Sequence, residues 1–142
     1  FSVLEMGSKN RDILTESWAE GVETIVTNDR YFGLDANYQS SNSNNARWNS
    51  SRQRQSITGM NEYTPIVEDL IDTLNQNITP NIPGIQPIDR VNGYNLNQIQ
   101  TSLDNCRNID CWEDNLRNNY TNSTENNLTE LFNYVREVRN NM

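Results

Sequence analysis

Three glutamates lie at helical spacing in the first quarter of a chain that contains no histidine. Glu16, Glu20 and Glu23 stand at positions i, i+4 and i+7, which places them on one side of a helix. Carboxylates of this kind ligate metal ions or act as general acids and bases. Because the chain has no histidine, any acid–base chemistry of its own would have to come from carboxylates or tyrosines.

Two cysteines are the other chemically distinctive residues. Cys106 and Cys111 are separated by Arg-Asn-Ile-Asp, a spacing that suits a local disulfide between the end of one helix and the start of the next. Such a bond would contribute roughly 2 kcal/mol and requires an oxidising compartment. The alternative is a pair of unlinked buried thiols. A zinc site is not indicated, since two cysteines alone supply too few ligands.

Composition limits the classes of partner. The net charge of −8 and the pI of about 4.4 disfavour nucleic acid and anionic membranes, which both need a basic surface. No run approaches the roughly 18 apolar residues that a membrane span needs. The length of 142 residues fits one domain, 1–142. Since the chain begins with Phe1 and not with methionine, we expect it to be part of a longer protein.

Apolar periodicity predicts an all-α domain of about five helices. The first helix is expected to begin near Ser8 to Asn10 and to end at about Arg30, and Gly33 is expected to stop it. The second is expected to have Thr64 as N-cap and Pro65 as its first residue. The first helix is predicted to bury Ile13, Leu14, Trp18, Val22, Ile25 and Val26. The second is predicted to bury Ile66, Val67, Leu70, Ile71 and Leu74.

Three further helices are predicted in the second half of the chain. They are expected to follow the cap residue Asn95, to start at Asp110, and to start near Ser123 or Thr124. Two stretches interrupt the helices. A long polar loop is predicted at 34–62, and a Pro-rich connector at 75–90.

The run Glu16-Ser17-Trp18-Ala19-Glu20-Gly21-Val22-Glu23 resembles the third-ligand helix of gluzincin zinc metallopeptidases. The chain resembles still more closely a group of extracytoplasmic zinc metallopeptidases of Bacteroidetes-type bacteria. The blocks that carry this likeness, in chain order, are Glu16–Glu23, Tyr63–Asp72, Val91–Tyr94, Trp112–Leu116, Thr124–Leu128 and Leu131–Tyr134. The two histidine ligands and the catalytic glutamate of that family belong to an upstream H-E-x-x-H helix, which this chain lacks.

The resemblance implies that Glu16 is the carboxylate ligand of a His₂Glu zinc site and that Glu20 orients a ligand histidine. Tyr63, just before the second helix, is a candidate transition-state or substrate donor by its position alone. The implied cofactor is Zn²⁺, held jointly with an N-terminal catalytic part of the same protein. The implied substrate is a peptide or protein, and the implied location is periplasmic, secreted or on the cell surface. These residues alone are expected to be inactive.

Two other interpretations stay open. The first is a noncatalytic acidic helical interaction module, in which the loop 34–62 presents the surface for a partner. The second is a degenerate pseudo-enzyme that has kept the fold and lost its metal.

Overall fold

A computed structural model describes residues 3–34, 64–73, 85 and 87–141 of the chain. These ranges contain five α-helices and one short 3₁₀-helix, and no strand. The helices are α1 (Val3–Leu34), α2 (Ile66–Ile71), α3 (Leu96–Leu103), α4 (Ile109–Asn119) and α5 (Leu128–Asn141), with the 3₁₀-helix at Glu125–Asn127. The predicted all-α class is therefore confirmed. The loop predicted at 34–62 lies almost entirely outside the described residues, as does most of the connector 75–90.

The described helices share one apolar core. α1 packs against α2 and α5, α2 also touches α3 and α5, and α4 lies between α3 and α5. Trp112 of α4 and Phe132 of α5 are both fully buried, with ring centroids 5.3 Å apart in an edge-to-face arrangement. Such pairs add about 1 kcal/mol to the burial of their surface. The predicted apolar residues of α5 are all buried: Leu128, Leu131, Phe132, Val135 and Val138.

Helix α1 is longer than predicted, and the face that it buries is not the predicted one. Ile13, Leu14 and Ile25 are buried as expected, but Trp18 and Val22 are only half-buried and Val26 is 52 % exposed. Three small residues fill the centre of the buried face instead. They are Ser17, Gly21 and Thr24.

The small residues of α1 let α2 approach closely. A Cβ atom added to Gly21 would lie 2.6 Å from Cγ1 of Val67 and closer still to its Cβ, so nothing larger than glycine fits there. One turn earlier, Ser17 Oγ is 2.7 Å from Thr64 Oγ1 and accepts a hydrogen bond from Thr64 N at 3.1 Å. This contact corrects the prediction for Thr64. Its hydroxyl is used by Ser17, and Pro65 occupies the N-cap of α2 without a side-chain cap.

The caps of α3 and α4 follow ordinary N-cap chemistry. Asn95 and Gln98 form a reciprocal capping box at the start of α3, as the prediction of Asn95 implied. α4 begins one residue before the predicted Asp110, because the Asn108 side chain accepts a hydrogen bond from Cys111 N at 2.8 Å. Asp110 is therefore the second residue of the helix.

The predicted disulfide is present between α3 and α4. Cys106 and Cys111 are bonded, with Cα atoms 5.5 Å apart. Asn105, directly before the bridge, has a φ of 63°, a left-handed conformation that asparagine tolerates better than most residues. Trp112 Nε1 also donates to Ser102 Oγ at 2.9 Å. The two helices are thus joined by core packing and hydrogen bonds as well as by the covalent bond.

A buried carboxylate fastens α4 to α5. Glu113 is 5 % exposed and accepts hydrogen bonds from Arg117, Thr129 and Arg136. Burial by itself raises the pKa of the Glu113 carboxyl, but the bonds from Thr129 and the two arginines outweigh it, so the pKa is lowered. Glu113 is therefore ionised in the folded protein, and its charge is well compensated.

We predict that Gly21→Ala destabilises the protein by about 1–3 kcal/mol, because the new methyl group collides with Val67 and forces α1 away from α2. The matched control is Gly7→Ala in the same helix, where nothing lies within 4 Å of the added Cβ. That change should stabilise the protein by roughly 0.5–1 kcal/mol through helix propensity. Urea denaturation measures both. Equal effects of the two substitutions would contradict the close contact.

We predict that Glu113→Gln lowers the free energy of unfolding by about 2 kcal/mol at neutral pH, because Arg117 and Arg136 lose their charged partner on α4, although Arg136 keeps its ion pair with Asp110. Asp114→Asn, at an exposed position of the same helix, should change it by less than about 0.5 kcal/mol. Since the folded-state pKa of Glu113 is lowered, its contribution is lost as the pH falls. The difference between wild type and Glu113→Gln should therefore shrink in acid, and a constant difference would disprove the assignment.

Candidate functional site

The candidate ligand Glu16 lies at the margin of the contact between α1 and α2. It is half-buried and immediately precedes Ser17, whose side chain bonds to Thr64. Among the residues that the structure describes, none forms a hydrogen bond or an ion pair with the Glu16 carboxylate. The carboxylate is therefore held next to a well-packed helix contact and remains accessible.

Glu20 lies closer to the core than Glu16. It follows Ser17 by three residues and precedes Thr24 by four, and both of these neighbours are buried. Glu20 is half-buried overall, and its Oε1 atom is shielded from solvent. Glu23, the third glutamate of the series, is exposed. Burial among the three is therefore graded, and the two candidate site residues are the more enclosed ones.

Tyr63, the third candidate residue, falls outside the described residues. Thr64 follows it directly and is 98 % buried against Ser17, the neighbour of Glu16. The structure thus brings together the two blocks of sequence from which the three candidate residues were chosen.

The described part of the chain does not assemble a metal site. No group of three or more histidine, cysteine, aspartate or glutamate side chains in these ranges could hold a metal ion. Both cysteines are in the disulfide. Glu16 can therefore supply only one ligand, and the donor set here does not fit zinc without residues from elsewhere.

Helix α2 carries two buried carboxyls that were not predicted from the sequence. Glu68 and Asp69 of α2 are 1 % and 0 % exposed, although their place in the first turn of a helix suggested a role at the solvated helix end. The signal that could have found them is the run Ile66-Val67-Glu68-Asp69-Leu70-Ile71. A short helix that is apolar on both sides of its acidic pair is buried all round.

Tyr134 of α5 belongs to the same buried region. Its side chain is 3 % exposed, and its hydroxyl has no hydrogen-bond partner in the described ranges. Burial raises the pKa of Tyr134 well above its usual range, and the charges of Asp69 and Glu68 raise it further. Tyr134 is therefore a neutral phenol near the carboxyls of α2.

Asp89 extends this region at the far end of α2. It is fully buried, and its Oδ1 accepts a hydrogen bond from Val91 N at 3.0 Å. Burial raises the pKa of Asp89 to about 7, opposed by that hydrogen bond and assisted by the charge of Asp72. Backbone bonds from Gly93 N and Tyr94 N to the last carbonyls of α2 hold the segment in place, at 3.3 and 3.0 Å.

Comparison with known proteins gives no identification. No family model matches the chain, and no curated protein or solved structure is significantly similar to it. Among the helices described, none is long and apolar enough to cross a membrane. The metallopeptidase interpretation therefore stays a prediction based on the quoted blocks of sequence.

We predict that Asp89 makes the stability of the protein decline as the pH rises. Its pKa is about 7 in the folded protein against 3.8 as the ordinary value, so the folded state binds more protons between these two pH values. The contribution of Asp89 to the free energy of unfolding is fully present below about pH 4. It falls by about 1.4 kcal/mol per pH unit up to about pH 7.

Asp89→Asn is the test, because the amide keeps an oxygen for Val91 N and cannot ionise. The variant should match wild type near pH 4 and exceed its melting temperature at pH 8. Parallel melting curves at all pH values would show that Asp89 does not titrate in this way.

Proposed function

We propose that this chain is the C-terminal helical subdomain of a larger extracytoplasmic bacterial zinc metallopeptidase. In this proposal Glu16 is the carboxylate ligand of the metal and Glu20 orients a ligand histidine. The histidines and the catalytic glutamate come from an N-terminal part of the same protein. The subdomain is inactive alone and forms one wall of the cleft that binds a peptide or protein substrate.

The observation that carries the proposal is the position of Glu16. A metal ligand has to be held at a fixed distance from its fellow ligands, which requires a rigid support. Glu16 lies on a 32-residue helix, next to the Ser17–Thr64 hydrogen bond and one turn from the contact of Gly21 with Val67. Its carboxylate forms no hydrogen bond or ion pair within the described ranges, so metal ligation would displace none there.

The burial of Glu20 supports the same proposal. A carboxylate that orients a histidine works best where water is partly excluded, because its hydrogen bond to the imidazole is then stronger. Glu20 is one helical turn from Glu16, and its Oε1 atom is shielded from solvent. A bound zinc ion would act as a Lewis acid and lower the pKa of a coordinated water.

A second candidate function also has a specific observation in its favour. Ser17 and Gly21, two residues of the ligand-like motif, have a packing role against α2 that needs no metal. The motif is therefore compatible with a noncatalytic helical interaction module of acidic character. The two proposals are distinguished most directly by whether Glu16 binds a metal ion.

The deciding experiment substitutes Glu16 in the longest native form of the protein. Glu16→Gln should reduce the bound zinc from about one equivalent to a small fraction and abolish peptide hydrolysis, since it removes one of three ligands. Glu23→Gln is the matched control on the same helix, and both properties should survive it. Glu20→Gln should weaken zinc affinity by about 10–100-fold, as expected for a residue that is hydrogen-bonded to a metal ligand.

Elemental analysis and an isothermal zinc titration measure these effects, and circular dichroism confirms that the variants fold. If Glu16→Gln and Glu23→Gln retain the same zinc content, Glu16 is not a ligand and the interaction module is the better proposal. The absence of an H-E-x-x-H motif in the preceding 20–80 codons of the gene would reject the metallopeptidase outright.

A further inference from the structure

The disulfide between α3 and α4 stands at the surface of the fold, outside the candidate site. Cys106 and Cys111 are both half-buried, and Cys106 packs against the margin of the apolar core. The residues between them are mostly exposed, namely Arg107, Asn108 and Asp110, while Ile109 is buried. An incoming thiol can therefore approach the bond without unfolding of the core.

The two sulfurs have different surroundings. Cys111 is the third residue of α4, within the first turn, where backbone N–H groups and the helix dipole stabilise negative charge. Cys106 lies in the turn after α3, which carries no such stabilisation. A cysteine at a helix N-terminus is the better leaving group in thiol–disulfide exchange.

Asn115 lies beside both sulfurs and nearer to Cys106, so its side chain supports a thiolate on either cysteine and does not itself select Cys111. Its Nδ2 atom is 3.3 Å from Cys106 Sγ and 3.8 Å from Cys111 Sγ, and it also donates to Ser102 O at 2.9 Å. An amide N–H placed between two sulfurs is a hydrogen-bond donor for whichever becomes a thiolate. Asn115 is one turn after Cys111, so the two side chains share one face of α4.

The fold does not rely on the covalent bond to keep α3 and α4 together. Trp112 Nε1 donates to Ser102 Oγ, and Ile99, Ile109 and Trp112 are all buried in the shared core. Closing so short a loop contributes only about 2 kcal/mol. The bond can therefore open in a protein that stays folded.

We propose that Cys106–Cys111 is an exchangeable disulfide that an external dithiol opens by attack on Cys106. The attacking thiolate bonds to Cys106 Sγ, the S–S bond breaks, and its electron pair leaves on Cys111 Sγ as a thiolate. The second thiol of the dithiol then attacks its own sulfur in the mixed disulfide and releases Cys106. The dithiol is oxidised by two electrons to its disulfide, and its two protons pass to the two cysteines.

The first test is reduction under native conditions. The folded protein is treated with dithiothreitol at pH 7, quenched with iodoacetamide, and weighed by intact-mass spectrometry while circular dichroism follows the helices. We expect two alkylated cysteines, unchanged helix content, and a rate proportional to dithiol concentration that low urea does not alter. A rate that is independent of dithiol and increases with urea would mean that only the unfolded chain reacts, and would overturn the proposal.

The second test locates the attack. After brief exposure to reduced glutathione and acid quenching, peptide mapping should find glutathione on Cys106 in about tenfold excess over Cys111. Glutathione mainly on Cys111 would overturn the assignment of the leaving group. Asn115→Ala should slow the exchange severalfold, whereas Asn118→Ala, at an exposed position of the same helix, should not. Equal rates for these two variants would reject the role of Asn115.

Discussion

The close approach of α1 to α2 is the constraint on which the rest of the described fold depends. Gly21 leaves room for Val67, and the Ser17–Thr64 pair fixes the register one turn away. Because α2 is only six residues long, it has little helical stability of its own and exists through its neighbours. Its last carbonyls in turn accept the backbone N–H groups of Gly93 and Tyr94, so the contact on α1 also positions the segment that leads into α3.

Buried carboxyls of this fold differ in whether a cation faces them. Glu113 joins α4 to α5 with two arginines as partners, and such an arrangement keeps a buried carboxylate ionised. Asp89 has no cation of this kind among its described neighbours, and its higher pKa reflects burial beside Asp72. The two carboxyls therefore respond to pH in opposite directions. Acid removes the stabilisation that Glu113 gives, whereas the contribution of Asp89 is lost as the pH rises from about 4 to about 7.

The sequence predicts the helices well, since periodic apolar residues and cap residues are local signals. Asn95 caps α3 as predicted, α4 begins one residue before the predicted Asp110, and the apolar residues of α5 are buried without exception. The sequence does not predict which face of α1 is buried. Apolar periodicity selects the stripe through Trp18, Val22 and Val26, whereas a helix that must come close to another one buries its small residues. Ser17 and Gly21 carry that information, but only the position of Val67 reveals it.

The candidate site is harder to predict from the sequence than the helices are, because a site depends on contacts between distant segments. Glu16 and Glu20 became candidates through the resemblance of Glu16–Glu23 to a gluzincin ligand helix, and the structure places both at the edge of a buried contact. The buried carboxyls of α2 were missed, because an acidic pair in the first turn of a helix is typical of a solvated helix end, and only the apolar residues on both sides of the pair indicate burial.

The blocks that suggested the metallopeptidase family are also the points where the helices meet. Ser17 contacts Thr64, Tyr94 N bonds to the end of α2, and Asn92 is bonded to Thr124 and Asn122. Trp112 of α4 packs edge-to-face against Phe132 of α5. These contacts give the blocks a role in packing, which by itself says nothing about catalysis. Glu16 differs from these residues because its carboxylate forms no hydrogen bond or ion pair in the described ranges, and the functional part of the resemblance therefore depends on this one carboxylate.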